Sequence, residues 1–437
     1  MSSLLKKERW AKPSPTQMRP PPTALPLSFL PPPPPALPQL HHDYCRSLPG
    51  TDLELAPTGA ATMADTARTT RAASPPPHQG LPEEIAIWEI LVRLPPKSLL
   101  RCRAVCRAWR RATSTRDFLV AHHACQPTLP LLNDLNFVTY GGHSLDTIPL
   151  ELSTAATDRL QPVVRFREAY VRLFASCDGL LLLSMARGHL VLCNPATRQL
   201  ARLPIPAGFI PLGMYPHGPS PTAEYRLLLY LSSSERVPDD QAGSYILTAG
   251  SGHLPRHIGC SDVERLIFTS GSVMFHGSLH WYHRNEITVF DTTTELFREM
   301  RAPVDAGPAN LFEMDGMLAA SIFNDPTTSI DIWMVHDYDT EVWTFKCRVS
   351  LPVTELTAQF GIINRRCCVV FASWDGDVLV LAKFGDWLLQ VDRDGKLVAT
   401  FRRRGIGPTQ NRLKQSLVQH TFFPTLEGYV VNASPFI

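Results

Sequence analysis

No stretch of this chain approaches the ~18 consecutive apolar residues that a membrane-spanning helix requires. Lys6, Lys7 and Arg9 are followed by no apolar segment that could act as a secretory leader. Charge of one sign is lacking too. The 42 Lys and Arg stand against 40 Asp and Glu, a net charge of +2, which argues against the whole chain binding a polyanion. The 10 cysteines include no C-x-x-C pair and no regular spacing. They spell neither a zinc knuckle nor a disulfide framework and read as reduced thiols of a cytosolic or nuclear protein. A P-loop, a nucleophile elbow and an H-E-x-x-H helix are all missing. GIG at 405–407 is too short for a dinucleotide fingerprint.

What is present divides the chain. Residues 1–80 hold 17 of its 40 prolines, with PPPPP at 31–35 and PPP at 20–22 and 75–77. Proline fixes φ and removes a backbone donor, so this segment is expected to be a disordered tail with polyproline II tendency. Within it, MADTARTTRAASPPPHQG at 63–80 has the form of an ordinary start, so the first 62 residues are expected to stand outside the main product.

Residues 81–123 change character. Pro82 suits a first helical turn, and Glu83 and Glu84 complement the positive end of its dipole. Ile85, Trp88, Ile90, Leu91 and Leu94 are too many apolar residues for one narrow stripe. LPP at 94–96 breaks that helix and opens a second, running through Leu99, Leu100, Val105 and Trp109. A third piece is expected near 118–123. Such a unit of three short helices lies near the lower limit for folding alone and calls for a partner surface.

A sheet texture sets in near residue 129, with 124–164 read as a connector into a β domain at 165–437. Short apolar runs such as GLLLLSM (179–185), YRLLLYL (225–231) and DVLVLAKF (377–384) alternate with turn residues, and no long amphipathic helix interrupts them. One turn recurs: Asn194 with Thr197, Asp291 with Thr294, Asp337 with Thr340, Asp392 with Gly395. In each the first residue opens the turn by bonding its own backbone. Leu200, Leu296, Val342 and Leu397 then begin the next strand. The copies stand 97, 46 and 55 residues apart, and a degenerate copy within 244–258 would halve the longest interval. A period of 45–50 residues built only of short strands is that of propeller blades, about six of which would fit. A large β-sandwich is the alternative.

Chemistry is sparse. Cys102 and Cys106 share a helix face, with His122, His123 and Cys125 nearby, but both cysteines fall on the side of Leu99 and Trp109 and read as small core hydrophobes. Lys97, Arg101, Arg103 and Arg107 read as a solvated rim. These and Arg402–Arg404 are too short as basic clusters for a nucleic-acid reader. SWDGD at 373–377 reads as a turn, and in HGSLHWYH His283 falls on the face opposite His276 and His280.

The helical unit resembles the F-box, on Leu81–Pro82 with Ile85, Ile90–Leu91, Leu94–Pro95, Ser98–Leu99–Leu100, Val105–Cys106 and Trp109; Arg107 stands where that family often has Lys. The remainder is similar to the F-box-associated domains of plant F-box proteins. The matching stretches are SCDGLLLL (176–183), LVLCNPATRQLARLP (190–204), SGSVMFHGSLHWY (270–282), ITVFDTTTELFREMRAP (287–303) and DIWMVHDYDTEVWTF (331–345). The implied fold is α+β and multidomain: a three-helix F-box at 81–123, then an all-β propeller-like domain of about six blades.

The resemblance also implies a function. The chain would be the substrate-recognition subunit of a Skp–cullin–F-box ubiquitin ligase, with no catalytic residue, cofactor or metal of its own. Leu81, Pro82, Ile85, Ile90, Leu91, Leu94, Pro95, Leu99, Leu100, Val105 and Trp109 are the candidate residues for the Skp adaptor, shared with the F-box core in a proportion left open; for Trp109 the core role comes first. The β domain would hold a target protein through loops, with 208–224, 233–243 and 304–310 as candidates. A location in cytoplasm or nucleus follows. The alternatives are a non-ligase F-box scaffold or a propeller enzyme with a loop-borne site.

Overall fold

The computed structural model describes residues 81–134, 143–148, 160–168, 170–185, 188–218, 224–233, 237–259, 263–269, 271–304, 309–324, 328–372, 378–423 and 436. The proline-rich segment 1–80 lies outside the described residues. Helices and sheets belong to one compact unit, Ala72–Ile437.

Six four-stranded antiparallel sheets make a six-bladed propeller. Blade II runs Arg172–Cys177, Leu180–Ser184, Leu190–Asn194 and Gln199–Arg202 from the centre outward, and blades III to VI repeat that order up to Arg402. Blade I is built from both ends of the domain. Its innermost strand is the last one, Ile406–Lys414, paired with Thr128–Asp134, and His143–Thr147 and Gln161–Phe166 complete it. Thr128 lies opposite Lys414, and Asp134 lies opposite Ile406. The segment 124–164, expected as a connector, therefore supplies strands of the closing blade. Their sequence signal is weak because two of the three alternate little and their innermost partner comes from the far end of the chain.

The apolar runs are explained by burial on both faces. In Leu180–Ser184, Leu181 and Leu183 pack towards blade I while Leu180 and Leu182 pack towards blade III. Leu131 and Leu132 likewise turn to blades II and VI. Side chains alternate along a strand, so a strand between two neighbours buries both of its faces. Most such strands are apolar throughout, while His143–Thr147 buries polar residues instead and pairs Asp146 with Arg403. Each adjacent pair of blades shares such a cluster, including VI with I.

The recurring turn joins the third and fourth strands of blades II, IV, V and VI. Asn194 Oδ1 accepts from the backbone N–H of Ala196 and Thr197 (3.0 and 3.3 Å), Asp291 from Thr293 and Thr294, Asp337 from Asp339 and Thr340, and Asp392 from Asp394 and Lys396. The Thr294 and Thr293 N–H groups hold Asp291 below the usual carboxylate range, and for Asp337 the Thr340 hydroxyl does so first, followed by the Thr340 N–H. Each turn closes with a left-handed residue, Arg198, Glu295, Glu341 or Gly395. Two of these reach the preceding blade: Glu295 pairs with Arg226 (3.0 Å) and Arg256, and Glu341 with Arg298 (3.0 Å). The degenerate copy is also a third-to-fourth-strand connection, in blade III, carried by Gly250 and Gly252 at positive φ instead of an Asx turn.

At Gly395 φ is +80°, and a Cβ would overlap the Ser350 carbonyl oxygen of blade V. Gly395→Ala should destabilise the domain by at least about 2 kcal/mol, since a left-handed residue with a side chain alone costs 1–2 kcal/mol. A lowered urea midpoint at unchanged slope is the expected readout.

Candidate functional site

Local backbone chemistry shapes the helical unit. Glu83–Ile85, a π-helical turn at Ala86–Ile90 and a 3₁₀ turn at Leu91–Arg93 form one run that stops at Leu94, where ψ becomes 144° ahead of Pro95. Pro96 begins the next helix, Pro96–Val105. That helix ends at Cys106, in extended conformation, and a separate helix Arg107–Ala112 follows, so it does not run on through Trp109 as expected. The break turns Trp109 back against the core. Thr115 then caps Arg116–Cys125, giving one more helical piece than the three expected.

The π turn sorts the apolar residues. Its wider period rotates the register, which is why no single 3.6-residue stripe accounts for them. Ile87, Leu91, Val92, Leu99, Phe118 and Leu119 are buried together, with Leu94, Cys102 and Trp109 packed around them. Of the candidate adaptor residues, Leu91 and Leu99 thus belong to the core, and Leu94 and Trp109 lie half-buried against it. Leu81, Pro82, Ile85, Ile90, Pro95, Leu100 and Val105 are exposed, Val105 at 72%. Trp88, read earlier only as an apolar helix residue, is also exposed, at 45%, and leans on Phe118 with ring centroids 5.6 Å apart. Several large apolar side chains left in solvent on so small a unit mark an interaction face.

Polar residues brace the unit from within. His122 is fully buried and its Nε2 donates to the Leu94 carbonyl (2.8 Å), the oxygen that also accepts from Gln126 Nε2 (3.2 Å). Burial holds the His122 pKa low. Arg103 does not belong to the solvated rim. Its Nε donates to Thr113 Oγ1 (2.9 Å) and its Nη2 to the Thr113 carbonyl, while burial lowers its pKa. Lys97, Arg101 and Arg107 are exposed. Among the described residues no group of three or more His, Cys, Asp or Glu is arranged to hold a metal ion.

After the closing strand, residues 415–423 run as a strap between the helices and the propeller. Leu417 is 3% exposed and completes the helical core, with Val418 and Ala196 beside it. His123 Nδ1 donates to the Gln415 carbonyl (3.1 Å), and Asn194 Nδ2 donates to the Ser416 carbonyl (3.1 Å). A Cβ at Gly179 would collide with Ser416. Asp178 accepts from Tyr225 Oη (3.1 Å) and lies 3.8 Å from His123 Nε2, which holds its pKa low. Beyond it His420 packs edge-on against Tyr225 (5.2 Å), and Phe423 is buried between blades II and III.

The strap and Ala196 lie at the rim formed by first-to-second and third-to-fourth strand turns. In an antiparallel blade the remaining connections lie at the opposite rim. Of the candidate loop 233–243, residues 233 and 237–243 in the second-to-third connection of blade III, and of the candidate loop 304–310, Val304 at the end of blade IV, therefore lie at the rim away from the helices. Residues 234–236 and 305–308 lie outside the described residues, and Ala309 and Asn310 open the inner strand of blade V. The third candidate loop is largely no loop: Phe209–His217 is the inner strand of blade III, its aperiodic GFIPLGMYPH hiding a strand that bulges at Pro211–Gly213. His276 sits in a hairpin turn, not on the strand, while buried His280 bonds Tyr338 Oη (2.8 Å) between blades IV and V. SWDGD at 373–377 lies outside the described residues.

The molecule is a small helical unit with an apolar face in solvent, strapped to one rim of a propeller. Residues 78–126 match the F-box-like family and residues 146–399 match the F-box associated beta propeller domain. The chain belongs to the plant F-box proteins that carry this C-terminal domain. It is 27% identical over 296 residues to F-box protein At5g49610 of Arabidopsis thaliana, covering 62% of this chain and 79% of that one. It is 25% identical over 300 residues to F-box protein CPR1 of the same plant, covering 60% and 72%. The propeller domain of Cps50 (Swd1) from Myceliophteria thermophila overlays 63% of this chain and 89% of its own at 13% identity, with a TM-score of 0.33, too loosely to argue from. Proteins of the F-box and propeller family are typically non-catalytic adaptors. The F-box implies a Skp-type adaptor partner, and the propeller implies a protein target.

Two outcomes follow. Asn194→Asp keeps the turn, as Asp does in blades IV to VI, but removes the donor to Ser416 in a fully buried site. A loss of about 1–3 kcal/mol is expected, with amide exchange at 83–125 rising before that of blades IV and V. Burial pushes His280 and His420 down to about 4 from 6.5. As pH falls the unfolded chain takes up these protons first, so stability is full above pH 6.5 and declines towards pH 4. His420→Gln should flatten that decline in pH-resolved chemical denaturation.

Proposed function

We propose that this chain is the substrate-recognition subunit of a Skp–cullin–F-box ubiquitin ligase. The carrying observation is the division of the helical unit's apolar residues, with Leu91 and Leu99 in its core and Leu81, Ile85, Trp88, Ile90, Leu100 and Val105 in solvent. An exposed set of that kind fits an apolar groove on a Skp-type adaptor, with Pro82 and Pro95 preordering the turns and reducing the entropy lost on docking. Through the adaptor the chain would meet a cullin and a RING subunit. The propeller, held by the strap, would present a target protein at the rim facing away from the helices. No residue of the chain need take part in bond making, because holding a target near a charged ubiquitin-conjugating enzyme raises its effective concentration. The cytoplasm or nucleus, where thiols such as Cys102, Cys106 and Cys125 stay reduced, is the proposed location.

The test is capture of a Skp adaptor by the full chain. Ile90→Asp with Val105→Asp, both exposed, should leave the circular dichroism spectrum unchanged and lower adaptor affinity more than tenfold, or about 1.4 kcal/mol. Phe268→Asp, at the opposite rim, should leave it unaltered. Adaptor binding that survives deletion of 81–112 would overturn the receptor reading. Adaptor binding that never recruits cullin would make the protein a non-ligase scaffold.

A further inference from the structure

Between helices Arg107–Ala112 and Arg116–Cys125 lies a shallow cleft, widely open to solvent, of about 420 Å³ and lined by Arg107, Arg110, Arg111, Ser114 and Thr115. The three arginines are exposed. Several other guanidinium groups are matched to carboxylates: Arg93 with Glu89, Arg226 and Arg256 with Glu295, Arg265 with Glu286 and Glu299, Arg298 with Glu341, Arg348 with Asp331, Arg403 with Asp146. Among the described residues, none of Arg107, Arg110 and Arg111 makes such a pair. Three positive charges thus converge on a cleft that contains hydroxyl groups and no carboxylate. A dianion covalently carried by one of those hydroxyls would meet planar donors from several directions.

The three consecutive hydroxyls differ in availability. Thr113 is fully buried, its Oγ1 donating to the Trp109 carbonyl (2.7 Å) and accepting from Arg103. Thr115 Oγ1 is the cap of the following helix, donating to the Ala112 carbonyl (3.1 Å) and accepting from Phe118 N–H (3.4 Å). Ser114 is exposed and its Oγ makes a single local bond, to the Arg110 carbonyl (2.6 Å). Arg110 and Arg111 precede it in the chain, where an acidic enzyme surface could read them.

We propose that Ser114 is a phosphorylation site whose phosphate settles into the Arg107–Arg110–Arg111 cleft. Ser114 Oγ attacks the γ-phosphorus of a nucleoside triphosphate held by an arginine-directed protein kinase. The Oγ–P bond forms as the bond to the β-bridging oxygen breaks; the hydroxyl proton passes to the kinase's base and the nucleoside diphosphate leaves. The phosphate then ties the Arg107–Ala112 helix to the start of Arg116–Cys125, whose N-terminal dipole favours the same charge. This inference stands apart from the ligase reading.

Two arms test it on the full chain. In the first, an arginine-directed kinase and labelled ATP are applied to wild type, Ser114→Ala and Thr115→Ser, with the site mapped by mass spectrometry. Label mapped to residue 114 in wild type and in Thr115→Ser is expected; no label at residue 114 in wild type, or label in this segment that maps to Thr113 or Thr115 instead, overturns the site. In the second, phosphoserine is placed at 114 during translation and its phosphorus resonance is titrated. The second ionisation should fall below the ~6 of a free phosphomonoester and return to it in Arg107→Gln/Arg110→Gln/Arg111→Gln. Identical titrations in the two proteins overturn the cleft as the phosphate's seat, whichever kinase result is obtained.

Discussion

The pairing of Ile406–Lys414 with Thr128–Asp134 is the contact on which the rest of the molecule depends. A propeller blade is apolar on both faces, so no blade is stable unless it is flanked. The cluster between blades VI and I, with Leu132, Val369, Leu381, Leu388 and Ile406, exists only in the closed ring. Closure joins residues from the two ends of the domain, a long-range contact that must overcome a large loop entropy before it contributes anything. It also returns the chain to the point of entry. The helices lead into Thr128 and the strap leaves from Lys414, its direct partner, so the strap can reach the helical core without any further connection.

That return explains how so small a helical unit is stable while leaving apolar side chains in water. Leu417 supplies the core contact that Ile85, Ile90, Leu100 and Val105 do not. Asn194 shows how one side chain serves two levels of structure. Its oxygen closes the blade II turn as the aspartates do elsewhere, and its amide, which an aspartate lacks, holds the strap. Because the strap occupies one rim, the outer connections of the other rim are left free to vary without disturbing either closure or the helical face.

The inter-blade contacts use the same economy. The left-handed residue that ends a turn points out of its own blade, so Glu295 and Glu341 meet arginines of the blade before. In blade VI the position is a glycine and the backbone itself approaches Ser350. The left-handed conformation is common to these turns, and the residue that occupies it, glutamate or glycine, decides which contact forms.

Much of this was written in local sequence. Proline at 95 and 96 set the helix break, the Asx turns set the blade period, and short apolar runs bounded by turn residues announced the strands. The F-box residues could be named because their spacing is local. What the sequence could not apportion was which of those residues face the core. That depended on a π turn at Ala86–Ile90 and on a break at Cys106 that no proline or glycine signals. Nor could it reveal that 128–134 belongs beside 406–414, or that Arg103 is tied to Thr113. Turn chemistry and periodicity act over a few residues and are legible one segment at a time. Ring closure, the strap and the division between core and docking face arise from contacts between distant segments, and only the tertiary structure decided them.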